Sequence, residues 1–194
     1  MSNAEYHSKK DYESSSSIRD ALLNPKKYIF RKTHETVPTK AMEEGTAVHT
    51  YFLENDLFKK NYVFKPKAFN GRTKEGKEWM QEHGHLNILS AEWEENLIQM
   101  NHNFLNSPAK FIYDKEGLAE LSYFWEDLYK IKGKCRPDWL SKDGNTVVDL
   151  KTTQDASPKG FQKSIANLGY HIQASWYLRG LRKLEVPAKE FIFI

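Results

Sequence analysis

The sequence predicts an α/β protein: a small mixed β-sheet flanked by helices, preceded by a mostly helical N-terminal region. Three observations carry that prediction. Through about residue 118, apolar residues recur at helical spacing, as in Trp93, Leu97, Met100 and Phe104. From Ala119 the period switches to two, with Leu121, Tyr123 and Trp125 alternating with Ser122, Phe124 and Glu126. A long helical stretch then separates these strand-like runs from one more at 189–194, an order that implies a mixed sheet with helices packed on it.

Each element has its own signal. Ser14-Ser-Ser-Ser17 caps a helix over Ile18–Leu23, and Asn24-Pro25 ends it. Pro38 and Thr39 precede a helix over about 40–56, with Met42, Val48, Phe52 and Leu53 as its apolar face. The basic segment that follows reads as loop or partly extended chain, giving way to a helix from Thr73 to His83. Ser90 caps a helix over about 91–106, and Ser107-Pro108 begins a short helical turn ending near Tyr113. Runs 119–129, 131–141 and 145–152 read as three successive strands, with Asp143-Gly144-Asn145 as the hairpin turn between the last two. Pro158 starts one long helix to about Arg182, and 189–194 returns to strand. At 194 residues the chain is long enough for one well-buried core, so 1–194 is expected to be a single domain. Within it, 1–118 is a helical lead-in and 119–194 the sheet core.

Composition narrows the class. Hydrophobic residues make up 39% of the chain, and no uninterrupted apolar stretch approaches the ~20 residues of a membrane span. The first residues lack the apolar core of a signal peptide. A lone cysteine, Cys135, rules out an internal disulfide and fits a reducing compartment, so the cytoplasm is the expected location. The net charge of +3 is too small to identify a nucleic-acid binder, but its distribution is informative. Residues 59–77 hold seven cations, Arg72, Lys74 and Lys77 among them, against Glu75 alone, with Tyr62, Phe64 and Phe69 interleaved. Such a segment suits contacts to DNA phosphates; the plainer alternative is a solvated loop. A second run, Lys130, Lys132, Lys134 and Arg136, puts cations on one strand face that leads into Asp138, where they are expected to line a DNA groove.

The chemistry concentrates in Gly133-Lys-Cys-Arg-Pro-Asp138 and Thr146-Val-Val-Asp-Leu-Lys151. A hairpin between them sets Asp138 beside Asp149, and Lys151 points the same way as Asp149 because strand side chains repeat every two residues. Magnesium shared by both carboxylates would offset their repulsion, and the lysine would orient a water. Asp-x-Lys alone is a weak signal, since a chain of this length contains about one by chance. Glu75-Gly76-Lys77 has a similar spacing, but it lacks an upstream Pro-Asp and apolar alternation and is set aside.

Neighbouring motifs sharpen the picture. Gly45-Thr-Ala-Val-His49, Pro137-Asp138, Asp149-Leu-Lys151 and Gln173-Ala-Ser-Trp-Tyr177, in that order, resemble the PD-(D/E)xK nuclease superfamily. Within it the chain is most similar to the RecE (exodeoxyribonuclease VIII) family, through Asn3-Ala-Glu-Tyr-His7, Asn24-Pro-Lys-Lys-Tyr28, Arg72-Thr-Lys-Glu-Gly-Lys77, Lys134-Cys-Arg-Pro-Asp138 and Tyr170-His-Ile-Gln173. The resemblance implies a restriction-endonuclease-like core and a magnesium-dependent deoxyribonuclease, with manganese as a substitute. It implies metal ligation by Asp138, Asp149, the Leu150 carbonyl and His49, with Glu120 near the metals. Lys151 would act on the water, and Gln173 and Tyr177, one helical turn apart, would contact DNA and orient the active-site groups. Double-stranded DNA cut 5′ to 3′ from its ends, a ring-like homo-oligomer and a single-strand annealing partner in phage-type recombination are further implications. A structure-specific endonuclease and a catalytically inactive DNA-binding module are the alternatives. Members of that family continue past the apolar run Phe191-Ile-Phe-Ile194 on which this sequence stops, so the resemblance implies either a fragment or a chain that lacks C-terminal elements.

Overall fold

A computed structural model describes residues 1, 3–34 and 37–194. They divide into two compact units: residues 1–38 with 115–194, and residues 39–114. Of the residues expected as a helical lead-in, those up to 38 cluster with the sheet residues and 39–114 form the second unit.

The first unit opens with α1 (Asn3–Ser8) and α2 (Ser15–Leu23). Ser14 caps α2 as expected, its hydroxyl accepting from the Ser17 amide while the Ser17 hydroxyl accepts from the Ser14 amide. Asn24 ends α2 but also starts α3 (Pro25–Thr33), which the sequence pattern did not reveal. There the Asn24 carboxamide oxygen accepts from the Lys27 amide, and Pro25 occupies a first-turn position where its missing N–H costs nothing.

The second unit is built from α4 (Lys40–Leu53), α5 (Asn55–Asn61), β1 (Tyr62–Phe64), α6 (Lys74–His83), β2 (Asn87–Leu89), α7 (Ala91–Leu105), a single 3-10 turn (Pro108–Lys110) and α8 (Phe111–Asp114). The helix expected over 40–56 stops at Leu53, and a fresh helix begins two residues on. β1 and β2 pair in parallel. Phe52, Phe58, Leu97, Phe104 and Ile112 are buried, whereas Met42 is exposed, so the apolar face of α4 is narrower than expected. Tyr113 donates to the Phe52 carbonyl at 3.1 Å and tilts against Phe104, and its burial raises the phenol pKa to about 12.

Back in the first unit follow β3 (Gly117–Ala119), β4 (Tyr123–Glu126), β5 (Lys132–Cys135), β6 (Trp139–Ser141), β7 (Thr146–Asp149), α9 (Pro158–Leu168), α10 (Tyr170–Lys183) and β8 (Glu190–Phe193). The three expected long strands are in fact five short ones in two sheets. β3-β6-β7-β8 form a four-stranded mixed sheet in which only β7 and β8 run parallel, and β4-β5 form a separate antiparallel pair. Pro137 lies at the break between β5 and β6, where a residue without an N–H cannot continue a ladder. The expected hairpin turn is present. Asp143 Oδ1 accepts from the Asn145 amide at 3.0 Å and from the Ser141 hydroxyl, and these bonds lower its pKa to about 2.

The helix expected over 158–182 is two. Gly169 interrupts it with φ of 68°, a left-handed conformation that glycine adopts without strain. α10 then lies over the core formed by Trp125, Cys135, Leu140, Val147, Trp176, Tyr177, Leu181 and Ala188. Gly180 lets it come close: a Cβ there would meet the Trp125 indole at 2.3 Å.

Candidate active site

Asp138 enters β6 directly after Pro137, and the register Trp139 opposite Val148 carries Asp138 to a position opposite Asp149. Both aspartates are nearly inaccessible, at 7% and 3%. Buried carboxylates need partners, since the loss of hydration is otherwise uncompensated. Asp138 Oδ2 accepts from the Leu150 amide at 2.6 Å. Asp149 Oδ2 accepts from Gln173 Nε2 at 2.5 Å, and its other oxygen forms an ion pair with the Lys151 ammonium. Lys151 also donates to Gln173 Oε1 at 2.8 Å and lies over the Tyr170 ring, 4.6 Å from its centre. Gln173 thus joins both charged groups through one amide.

The backbone behind these side chains continues the sheet. The Lys151 amide donates to the Ile194 carbonyl and the Ile194 amide to the Asp149 carbonyl, which extends the β7–β8 ladder past Asp149. Asp149 and Lys151 project to the same side. Burial and the Asp149 carboxylate together raise the Tyr170 pKa.

Glu120 follows β3 with φ of 54°, and its amide donates to the Asp138 carbonyl at 3.2 Å. One oxygen of its carboxylate lies within 4.8 Å of one on Asp138. Arg136 faces Glu120, with Nε 3.2 Å from the carboxylate and 2.8 Å from the Glu120 carbonyl. Glu120 thus pairs with Arg136 and Asp149 with Lys151, with Asp138 next to Glu120. The carboxylates of Asp138, Asp149 and Glu120 give an oxygen-rich set of donors that fits a hard divalent cation. Leu150, whose carbonyl is the expected third ligand, is buried between Asp149 and Lys151. His49 lies on α4 in the second unit.

Several expected site residues sit elsewhere. Lys134 is buried, donates to the carbonyls of Tyr6 at 2.8 Å and Lys9 at 2.7 Å, and lies over the Tyr6 ring. Burial, more than nearby Lys32, lowers its pKa. The alternation that put Lys132, Lys134 and Arg136 on one face is real, but this chain's own N-terminal segment covers that face. Lys132 pairs with Asp11, and Arg136 donates to Asn3 Oδ1 and the Met1 carbonyl. Neither Lys134 nor Arg136 is free to line a DNA groove.

Tyr177 is likewise a core residue. It packs against Phe191, its hydroxyl donates to the Arg136 carbonyl at 3.4 Å, and burial, more than Asp149, holds its pKa well above the usual tyrosine value. Of the expected pair on α10, only Gln173 reaches the carboxylates.

Arg72, Lys74 and Lys77 are exposed in the second unit. Arg72 stands on an ordered turn and Lys74 and Lys77 on the start of α6: the Thr73 hydroxyl caps the Gly76 amide, Asn70 Oδ1 accepts from the Arg72 amide, and Phe69 packs edge-on against Trp79. Sequence reasoning missed Arg19, which with Ser15 and Ser16 lines a cavity of about 270 Å3 shared with Lys151 and Gln173. Nothing in its local pattern marks it, because it reads as an ordinary exposed helix cation.

A mixed sheet carrying Pro-Asp at one strand's entry and Asp-x-Lys at the end of its antiparallel neighbour defines the PD-(D/E)xK class, whose fold points to a nuclease. Residues 14–194 match the PDDEXK-like domain of unknown function (DUF3799), and the chain belongs to that family. No curated protein matches the chain. Among the described residues no helix is long and apolar enough to cross a membrane.

Proposed function

We propose that the chain is a divalent-metal-dependent deoxyribonuclease acting on duplex DNA. The observation that carries this reading is the half-buried Asp149–Gln173–Lys151 network beside Asp138. Asp138, Asp149 and the Leu150 carbonyl would hold magnesium, or manganese in its place, with Glu120 and His49 completing the donor set. Imidazole is a poor magnesium ligand and a better manganese one, so His49 supports the substitution. When bound, the metal supplies Lewis acidity at the phosphate and acidifies a water.

Lys151 would hold the attacking water and donate to the phosphate oxygens as charge builds on them. Gln173 holds both Asp149 and Lys151, so the carboxylate and the ammonium keep one relative position through the reaction. The water oxygen bonds to phosphorus, the bond from phosphorus to the 3′ oxygen breaks, and the products carry a 5′-phosphate and a 3′-hydroxyl. Exposed Arg72, Lys74 and Lys77 would add sequence-independent contacts to the DNA backbone.

Similarity to RecE-type enzymes extends the proposal to 5′-to-3′ digestion from duplex ends, in a cytoplasmic role in phage-type recombination, as a homo-oligomer working with a single-strand annealing protein. A time course on linear and circular duplex DNA with magnesium tests the activity. Loss of the linear form alone supports the exonuclease, and nicking of circles selects the endonuclease alternative. No magnesium- or manganese-dependent loss of either would leave a DNA-binding module.

A further inference from the structure

Arg136 ties the N-terminal segment of the first unit to Glu120, the acid beside Asp138. We propose that Arg136 is a positioning residue. Clamped by Met1, Asn3 and Tyr6, it holds Glu120 in the backbone conformation that brings its carboxylate to Asp138, and thereby raises the affinity of the site for a divalent metal. The inference rests on the metal-dependent reading above and adds a residue that acts through Glu120.

Glu120 lies in the link 120–122 between β3 and β4 with φ of 54°, a left-handed conformation that is unfavourable for a residue with a side chain. Among the described residues, Lys130 and Glu185 are the other non-glycine positions with positive φ, and each sits in a tight turn. The Lys130 amide donates to the Asp127 carbonyl at 3.1 Å and the Glu185 amide to the Arg182 carbonyl at 3.0 Å, so local backbone bonds hold both. Glu120 is held instead by a distant segment. Its amide donates to the Asp138 carbonyl at 3.2 Å, and its carbonyl accepts from Arg136 Nε at 2.8 Å. The same Nε lies 3.2 Å from the Glu120 carboxylate, so Arg136 engages backbone and side chain together. In that conformation a Glu120 carboxylate oxygen comes within 4.8 Å of one on Asp138. Without Arg136 the strained residue is free to relax and carry its carboxylate away.

Arg136 is itself fixed. It precedes Pro137, which is fully buried and confines the residue before it to extended backbone. Nη1 donates to Asn3 Oδ1 at 3.3 Å and Nη2 to the Met1 carbonyl at 2.8 Å. The guanidinium lies over the ring of buried Tyr6, 5.5 Å from its centre. One edge of a rigid planar group thus meets Glu120 while the other is held by the N-terminal segment, an arrangement that a single ammonium cannot reproduce. The charge of Arg136 works in the opposite direction, because a cation next to the carboxylates repels an incoming metal ion. Charge and positioning therefore make predictions of opposite sign.

Calorimetric titration of manganese without DNA separates them. Arg136→Met removes the charge and the donors but keeps an unbranched stem. Loss of the charge alone would tighten manganese binding. Loss of positioning should weaken it about tenfold, the low end of what a metal site loses with a hydrogen-bond partner of one of its ligands. Glu120→Gln should also weaken binding, and adding Arg136→Met to it should cost little more, because Arg136 acts through Glu120. Arg136→Lys keeps the charge and should still weaken binding several-fold, so it decides the matter if Arg136→Met does not melt cooperatively. Manganese affinity equal to or above the wild type in folded Arg136→Met, or in Arg136→Lys where the methionine variant does not fold, would overturn the proposal. Fully additive losses in the double variant would overturn it too. A wild type that binds manganese yet leaves duplex DNA uncut sinks the nuclease reading alone, and the same titrations still decide the role of Arg136.

Discussion

Replacing Gln173 with leucine probes the network most selectively, because it removes two hydrogen bonds and little volume. Gln173 Nε2 lies 2.5 Å from Asp149 Oδ2, and Gln173 Oε1 accepts from Lys151 at 2.8 Å. Both partners are charged, and Asp149 is only 3% exposed. Hydrogen bonds to charged groups contribute about 1.5–3 kcal/mol each, but Asp149 and Lys151 keep their ion pair when Gln173 is replaced. The part expected to appear in the barrier is the loss of fixed geometry, about 2–3 kcal/mol, or roughly 30- to 150-fold in rate. Single-turnover cleavage of a linear duplex with magnesium measures it, with a thermal melt to show that the fold survives. Gln173→Glu should fall at least as far at neutral pH, since it sets a further carboxylate against buried Asp149. A Gln173→Leu rate within threefold of the wild type would refute the assignment of Gln173 as the group that fixes Asp149 and Lys151.

Three further outcomes follow from the same structure. Alanine at Arg72, Lys74 and Lys77 together should make DNA binding shallower in salt by about one log–log unit for each DNA phosphate left without its cation, at every sequence alike, and an unchanged slope in a salt series would mark the turn as merely solvated. Gly180→Ala forces a methyl into the Trp125 indole and should cost about 1–3 kcal/mol in a denaturant melt, whereas Gly71→Ala, exposed and with only the Phe69 ring at 3.5 Å from the new Cβ, serves as the control. Asp143 has a folded pKa of about 2 against an ordinary value of 3.8, so its contribution to stability is present above about pH 4 and is lost as pH falls toward 2. Asp143→Asn should remove that component of the acid transition in melts taken across pH 2–4.

Much of the site was legible because its signals are local. The Asp143-Gly144-Asn145 turn sets the β6–β7 register, and that register places Asp138 opposite Asp149 without help from the rest of the chain. Spacing of two put Lys151 on the side of Asp149, and Gln173 is the α10 residue that reaches them both. Features decided by tertiary packing were not legible. Alternation showed that Lys132, Lys134 and Arg136 share a face, but not that Met1, Asn3, Tyr6, Lys9 and Asp11 would cover it. Helical spacing runs through Gly169 without a break, since a single left-handed residue leaves no mark on an apolar pattern. Tyr177 and Gln173 share a face only approximately. Four residues advance about 400°, and that offset of about 40° leaves Tyr177 in the core and Gln173 at the carboxylates. Arg19 comes to Lys151 only through the fold, from a distant part of the sequence.

The central claim is that Asp138 and Asp149 hold a divalent metal for cutting DNA. Calorimetric titration of manganese into the wild-type chain and into Asp149→Asn, with linear-duplex cleavage measured on the same samples, tests it most directly. The wild type should bind the metal and cleave. The variant should lose cleavage and most of its metal affinity while still melting cooperatively, because asparagine removes the charge and keeps the shape. Metal-dependent cleavage by Asp149→Asn at a near wild-type rate would contradict the account.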